Sequence, residues 1–200
     1  MIEEVTYRQQ RHRAIFAVAM QLFRTQGFEA TTTSEIARAA RVSRSTFFNH
    51  FPYKEAILLE FGAQWISGLQ RSILAGLERG EDPVSLLRRT FQGLATELSH
   101  HPDLVPPLVQ ELLHRDPLRA RSARQALPLD QLFRRLLETL AGLGRLRAGW
   151  TPLALSQALS DSCLLTCLRW SLAGSAGSLE QELAGRLELL FYGMLERCSA

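Results

Sequence analysis

Apolar residues recur at spacings of three and four along almost the whole chain, and no stretch alternates apolar with polar residues as a half-buried strand requires. This periodicity restricts the chain to an all-α fold, and its proline and glycine punctuation divides it into about nine helices. The first carries Ile15, Ala19, Leu22 and Phe23 on one face and stops at Gly27. The hydroxyls of Thr31, Thr32, Thr33 and Ser34 supply caps for a second helix that opens at Glu35-Ile36-Ala37. A break at Arg41-Val42-Ser43 leads into a third, which runs through Phe51 and ends at Pro52. A long helix follows over about 54–79, closed by Gly80. Five more are expected over about 83–100, 104–114, 118–142, 152–173 and 179–197. There are no repeats and no low-complexity segments.

Composition narrows the class further. With 46% hydrophobic and 22% charged residues the chain has the balance of a soluble globular protein. No apolar run reaches the ~18 residues that span a bilayer, and Met1-Ile2-Glu3-Glu4 lacks the pattern of a secretory signal. A cytoplasmic protein with no membrane partner is expected. Cys163, Cys167 and Cys198 are too few and too clustered for a disulfide framework. Residues 1–54 hold eight basic against four acidic side chains, a net +4, so the remaining 146 residues carry −1. A basic front end on a near-neutral body is the charge layout of a nucleic-acid-binding module joined to something else.

Residues 34–51 are the informative stretch. Ile36, Ala37, Ala40, Val42 and Phe47 are placed to bury against the first helix, with Phe47 and Phe51 facing inward together. The opposite face of the third helix then presents Arg44, Ser45, Thr46, Phe48, Asn49 and His50 to solvent. A short helix packed by its apolar side and showing small polar and basic groups outward suits a major groove. Lys54, the only lysine, stands at the N-terminal end of the long fourth helix, where free N–H groups and the dipole already favour an anion. It is expected to clamp a phosphate.

Residues 13–58 resemble the DNA-binding region of the TetR family. The resemblance is carried by Arg13-Ala14-Ile15-Phe16, Gly27-Phe28, Thr31 through Ala37, Val42 through Phe51, and Lys54-Glu55-Ala56-Ile57-Leu58. It implies a helix-turn-helix DNA-binding domain over 1–53 and a helical ligand-binding and dimerisation domain over 54–200. The implied protein is a homodimeric repressor that grips double-stranded, near-palindromic operator DNA and is released by a small-molecule effector. By position, Thr33, Phe48, His50 and Lys54 fall where the family contacts phosphates. Ser34, Arg44, Ser45, Thr46 and Asn49 fall where bases or nearby phosphates are touched, with Arg44 the candidate for bidentate guanine readout. Three residues depart from the family pattern. Arg41 stands where a turn glycine is usual, Phe48 where tyrosine is common, and Tyr53 where a small capping residue precedes the fourth helix.

The body is read less sharply. Trp65, Leu69, Phe91, Leu94, Leu98, Leu112, Phe133, Leu137 and Cys167 are candidate effector contacts, and the few charges among them point to an apolar or amphipathic effector. Leu155, Leu159, Cys163 and Trp170 on one helix, with Leu183, Leu187, Leu190, Phe191 and Met194 on the last, form stripes that the resemblance assigns to the dimer interface. Cys163 and Cys167, four apart, read as core residues rather than a thiol switch or half a metal site. His100, His101 and His114 read as capping or solvated rather than as metal ligands. No cofactor, metal or catalytic set is expected. An activator or protein-gated regulator of the same fold is the alternative reading, and a helical enzyme or thiol sensor using Cys163 and Cys167 a remote one.

Overall fold

The structure, a computed structural model, describes residues 2–174 and 176–194, and side chains over 7–174 and 176–191. The side chain of Met194, and Cys198, lie outside the described residues. The described residues form ten α-helices and one short 3-10 turn: α1 (Ile2–Gln26), α2 (Thr33–Ala39), α3 (Arg44–His50), α4 (Glu55–Glu78), α5 (Pro83–His100), the turn Pro102–Leu104, α6 (Val105–Leu112), α7 (Pro117–Ala126), α8 (Leu129–Gly142), α9 (Pro152–Leu172) and α10 (Leu179–Met194). They gather into two compact units, residues 1–61 and 62–200. The sequence reading places the domain boundary at 53/54; the division between the units falls within helix α4.

In the first unit α1 buries Ile15, Ala19, Met20 and Phe23, while Leu22 is half-buried. Against them pack Ile36 and Ala37 of α2, Phe47 of α3, Phe51, and Ile57 and Leu58 of α4. Each short helix is started by a side-chain cap. Thr32 Oγ1 accepts from the Glu35 backbone N–H while Glu35 Oε2 accepts from the Thr32 N–H, a complete capping box. Ser43 Oγ accepts from the Thr46 N–H at 3.0 Å at the head of α3. Thr31, expected among the caps, is instead buried, its hydroxyl donating to the Gly27 carbonyl at 2.7 Å.

In the second unit α8 is central. Leu132, Phe133, Leu136, Leu137 and Leu140 are all buried, and the helix packs on α5 and α9. Helix α10 lies against α5 and α9. Two helices stand where one was expected over 118–142, because Leu127 and Pro128 break the run. Proline has no N–H to donate, and it biases the residue before it away from helical geometry. Leu127 sits at φ −118°, ψ 72°, outside the helical region.

The turn between α2 and α3 holds the one non-glycine residue with positive φ among the described residues, Arg41 at φ 55°. Its N–H reaches the Arg38 carbonyl at 3.1 Å, and the Val42 N–H reaches the Ala37 carbonyl at 2.9 Å. The turn therefore closes α2 through a left-handed residue, a conformation that costs a side-chain-bearing residue roughly 1–2 kcal/mol. Replacing Arg41 by glycine removes that cost but adds unfolded-chain entropy. Arg41→Gly is thus expected to raise the unfolding free energy by up to about 1 kcal/mol, and Arg41→Val to lower it, both read from denaturation midpoints.

Candidate functional site

Helix α3 divides cleanly between its two sides. Phe47 is fully buried and Phe51, at the helix C-cap, is 1% exposed. Arg44, Ser45, Phe48 and Asn49 are exposed, and Thr46 and His50 half-buried. Of the side chains expected to meet DNA, Arg44 and Asn49 have no hydrogen-bond or ion-pair partner among the described residues. Arg41, in the turn, is likewise without one. Ser45 and Thr46 are less independent, since each hydroxyl lies 2.8 Å from Ser43 Oγ and helps hold the cap. Thr33 and Ser34 occupy the first turn of α2, where unsatisfied N–H groups point outward. Phe48 is 41% exposed and meets Phe47 edge-on, with centroids 5.3 Å apart.

The far end of α3 is anchored by a group the sequence reading does not single out. The His12 ring of α1 stacks on Phe51 with centroids 4.4 Å apart, and its Nε2 lies 2.6 Å from Glu60 Oε2 of α4. The His50 ring is 5.5 Å from that of His12. These residues lie 38 or more positions from His12, so no local spacing links them. Partial burial, then the charges of His12, Arg8 and Arg11, hold the His50 imidazole below the ordinary histidine pKa. It is neutral at pH 7, with one N–H to offer a phosphate.

Lys54 does something more specific than stand at a helix end. Its Nζ donates to the Phe28 carbonyl at 2.8 Å and to the Thr31 carbonyl at 3.1 Å, and it lies 4.0 Å above the Phe28 ring. The ammonium has three N–H donors, so one remains for an external anion. Two secure the 27–32 loop that ends α1 and delivers α2.

In the second unit, the candidate effector contacts separate into groups. Phe91, Phe133 and Leu137 are fully buried, with the two rings 5.8 Å apart; Leu94 and Cys167 are also buried. Trp65, Leu69 and Leu98 are half-buried. Leu112 lines a recess of about 460 Å³ together with Leu127, Leu129 and Leu164. The stripe assigned to the dimer contact is largely covered within the single chain. Leu155, Leu159, Cys163, Trp170, Leu183, Leu187 and Phe191 are all buried, and Leu190 is half-buried. The period that marks an apolar stripe marks the core-facing side first. The outward faces of α9 and α10 carry Leu165, Leu172 and Leu189, at 57%, 78% and 66% exposure.

Cys163 and Cys167 are buried and unlinked. A hydrogen bond to Cys167, and then burial, push the Cys163 thiol well above its ordinary pKa. Since the thiolate is the reactive species, this environment favours packing over redox chemistry. Among the described residues no three His, Cys, Asp or Glu side chains gather as a metal site. Among the same residues no helix is long and apolar enough to cross a membrane.

Removing the Lys54 ammonium leaves the Phe28 and Thr31 carbonyls without their donor. Lys54→Ala is expected to lower the unfolding free energy by about 2 kcal/mol, measurable by chemical denaturation of the free protein.

Two family models match. Residues 15–61 match bacterial regulatory proteins of the tetR family. Residues 63–193 match the C-terminal domain of TetR/AcrR family transcriptional repressors. The chain is 43% identical to Thermus thermophilus FadR, a TetR family transcriptional repressor solved in complex with lauroyl-CoA. That likeness covers 94% of this chain and 98% of the other, with a TM-score of 0.84. The fold is also shared with Bacillus subtilis FadR, solved with stearoyl-CoA, at 18% identity and a TM-score of 0.71 over 90% and 98% of the two chains. The transcriptional regulator TcmR of Streptomyces glaucescens is 38% identical over 38% of this chain and 33% of its own. The chain spans less than half the length of this and other curated relatives it matches. The chain belongs to the TetR/AcrR family of transcriptional repressors.

Proposed function

We propose that the protein is a homodimeric transcriptional repressor that binds operator DNA through α2 and α3 and is released by a long-chain acyl-CoA. The observation that carries the effector class is the near full-length likeness, at 43% identity, to a repressor solved with lauroyl-CoA. The DNA reading is supported by the division of α3 into a buried phenylalanine side and an exposed face with unpartnered Arg44 and Asn49.

In this reading Arg44 forks onto a guanine edge in the major groove. Ser34, Ser45, Thr46 and Asn49 touch bases or nearby phosphates. Thr33, Phe48, His50 and the remaining Lys54 N–H lie along the phosphate backbone. Two copies joined through the outward faces of α9 and α10 would set the spacing of two half-sites. The exposed leucines Leu165, Leu172 and Leu189 support that contact. Release requires the effector to bind a second arrangement of the dimer better than the DNA-bound one. Helix α4 is suited to carry the change, because it is one unbroken helix from Glu55 to Glu78. Leu127 is wedged against it at Gly62, where an added Cβ would lie 2.7 Å from Leu127 Cδ2.

Selection of bound fragments from sheared genomic DNA by the purified protein is expected to return one near-palindromic site. Binding should fall steeply with salt, and micromolar lauroyl-CoA should release it. Recovery that is blind to sequence would remove the operator reading, and a complex indifferent to acyl-CoA would remove the effector. Arg44→Ala should weaken the selected site by about 1–3 kcal/mol while leaving non-specific binding nearly unchanged. The pair Leu165→Glu and Leu189→Glu should yield a folded monomer by sedimentation; a dimer that persists would place the contact elsewhere.

A further inference from the structure

Helix α7 is the most polar of the second unit's helices: Ala123 is its one fully buried residue, while Arg121, Ser122, Arg124 and Gln125 are exposed. Where α7 ends at the Leu127-Pro128 break, α8 starts close beside it and a cleft opens between them. Its volume is about 530 Å³, and it is walled by Arg121, Arg124, Gln125, Pro128, Asp130 and Gln131, among others. Next to it lies the recess of about 460 Å³. The two share Arg124 and Asp130, so these residues join an arginine-bearing groove to a recess that holds four leucines beside its polar residues.

The charges at that junction are unevenly matched. Asp130 is held by Arg134 one turn along α8, at 2.9 Å. Arg121 has no ion-pair partner among the described residues. The bond of Arg124 runs from Nε to the Leu112 carbonyl at 3.4 Å, which leaves both terminal nitrogens of its guanidinium for a ligand. The outer cleft thus offers two uncompensated arginines. The recess offers Leu112, Leu127, Leu129 and Leu164, with Gln157 and Ser160 as polar points and Asp161 as its acid.

We infer that this bipartite cleft between α7, α8 and α9 is a binding site for an amphipathic anion. Phosphate oxygens of the acyl-CoA head lie on Arg121 and Arg124, and the acyl chain enters along Leu112, Leu127, Leu129 and Leu164. The inference rests on the acyl-CoA reading above and adds the place and the residues. Guanidinium groups match phosphate oxygens by paired N–H donors; Arg121 lines the outer cleft alone, whereas Asp161 shares the recess with Arg124.

The test is calorimetric titration of the full chain with lauroyl-CoA, laurate and unacylated CoA. The unaltered protein is compared with R121Q/R124Q, L164W and, as a control on a neighbouring exposed arginine outside both clefts, R115Q. Thermal melts and operator binding confirm that each variant is folded. R121Q/R124Q is expected to weaken lauroyl-CoA by about tenfold or more, to abolish any binding of CoA alone, and to change laurate much less. L164W, which fills the recess, should weaken lauroyl-CoA and laurate together, and R115Q neither. If laurate suffers as much as lauroyl-CoA in R121Q/R124Q, the arginines hold a carboxylate and the phosphate assignment is overturned. Unaltered lauroyl-CoA binding in both R121Q/R124Q and L164W overturns the site while leaving the effector intact. If the unaltered protein binds laurate but not lauroyl-CoA, the acyl-CoA reading and the phosphate assignment fail, and L164W alone decides the recess. Binding of neither compound overturns both.

Discussion

Helix α3 is seven residues long, well short of the ~12–15 at which an isolated helix holds in water, so it exists because Phe47 and Phe51 are held in a core. Those two rings, four residues apart, pin one side of the helix against α1 and α2 and thereby decide which residues face outward. The outward placement of Arg44, Ser45, Phe48 and Asn49 depends on that anchoring. The Ser43 cap orients the first turn, and the stack of His12 on Phe51 secures the last. The cap at one end is exposed and shares its hydroxyl with Ser45 and Thr46, and the contacts of His12 at the other end are part-buried. The two ends of the helix are therefore tied by different means.

The strain at Arg41 belongs to the same arrangement. The α2–α3 turn needs a left-handed residue to redirect the chain within three positions, and a glycine would adopt it at less cost. Arginine at that point keeps a cation in the turn between the two helices, exposed and without a partner among the described residues. A local penalty is therefore carried where a positive charge can add to the basic front end, a common location for strain in functional segments.

In the second unit the decisive constraint is close approach. Gly62 and Gly76 are helical glycines on α4, positions that cost roughly 1 kcal/mol relative to alanine. At Gly62 the Leu127 side chain, and at Gly76 the Leu86 side chain, fill the space a Cβ would take. Helix α4 can thus lie tight against the segment that ends α7. On the proposed reading, a ligand that moves Leu127 would act on α4 directly, through the contact at Gly62.

Much of this was legible in the residues alone. Helical periodicity, proline and glycine punctuation, and the register of 13–58 specified the all-α class and the inward pair Phe47 and Phe51. They also specified the outward set on α3, because this is a property of local spacing, while the left-handed turn at Arg41 was implied only by the resemblance to a family in which glycine is usual there. The break at Pro128 was equally local, but it lay inside an apolar run whose period continues across it. Other features required the tertiary structure. The ammonium of Lys54 meets carbonyls 23 and 26 residues away, and His12 joins Glu60 and Phe51 from the far end of the unit. The leucines of α9 and α10 turn one stripe to their own core and a different one outward. Periodicity reports that a helix has an apolar side, but not which neighbour covers it, since burial is a property of what packs against a residue.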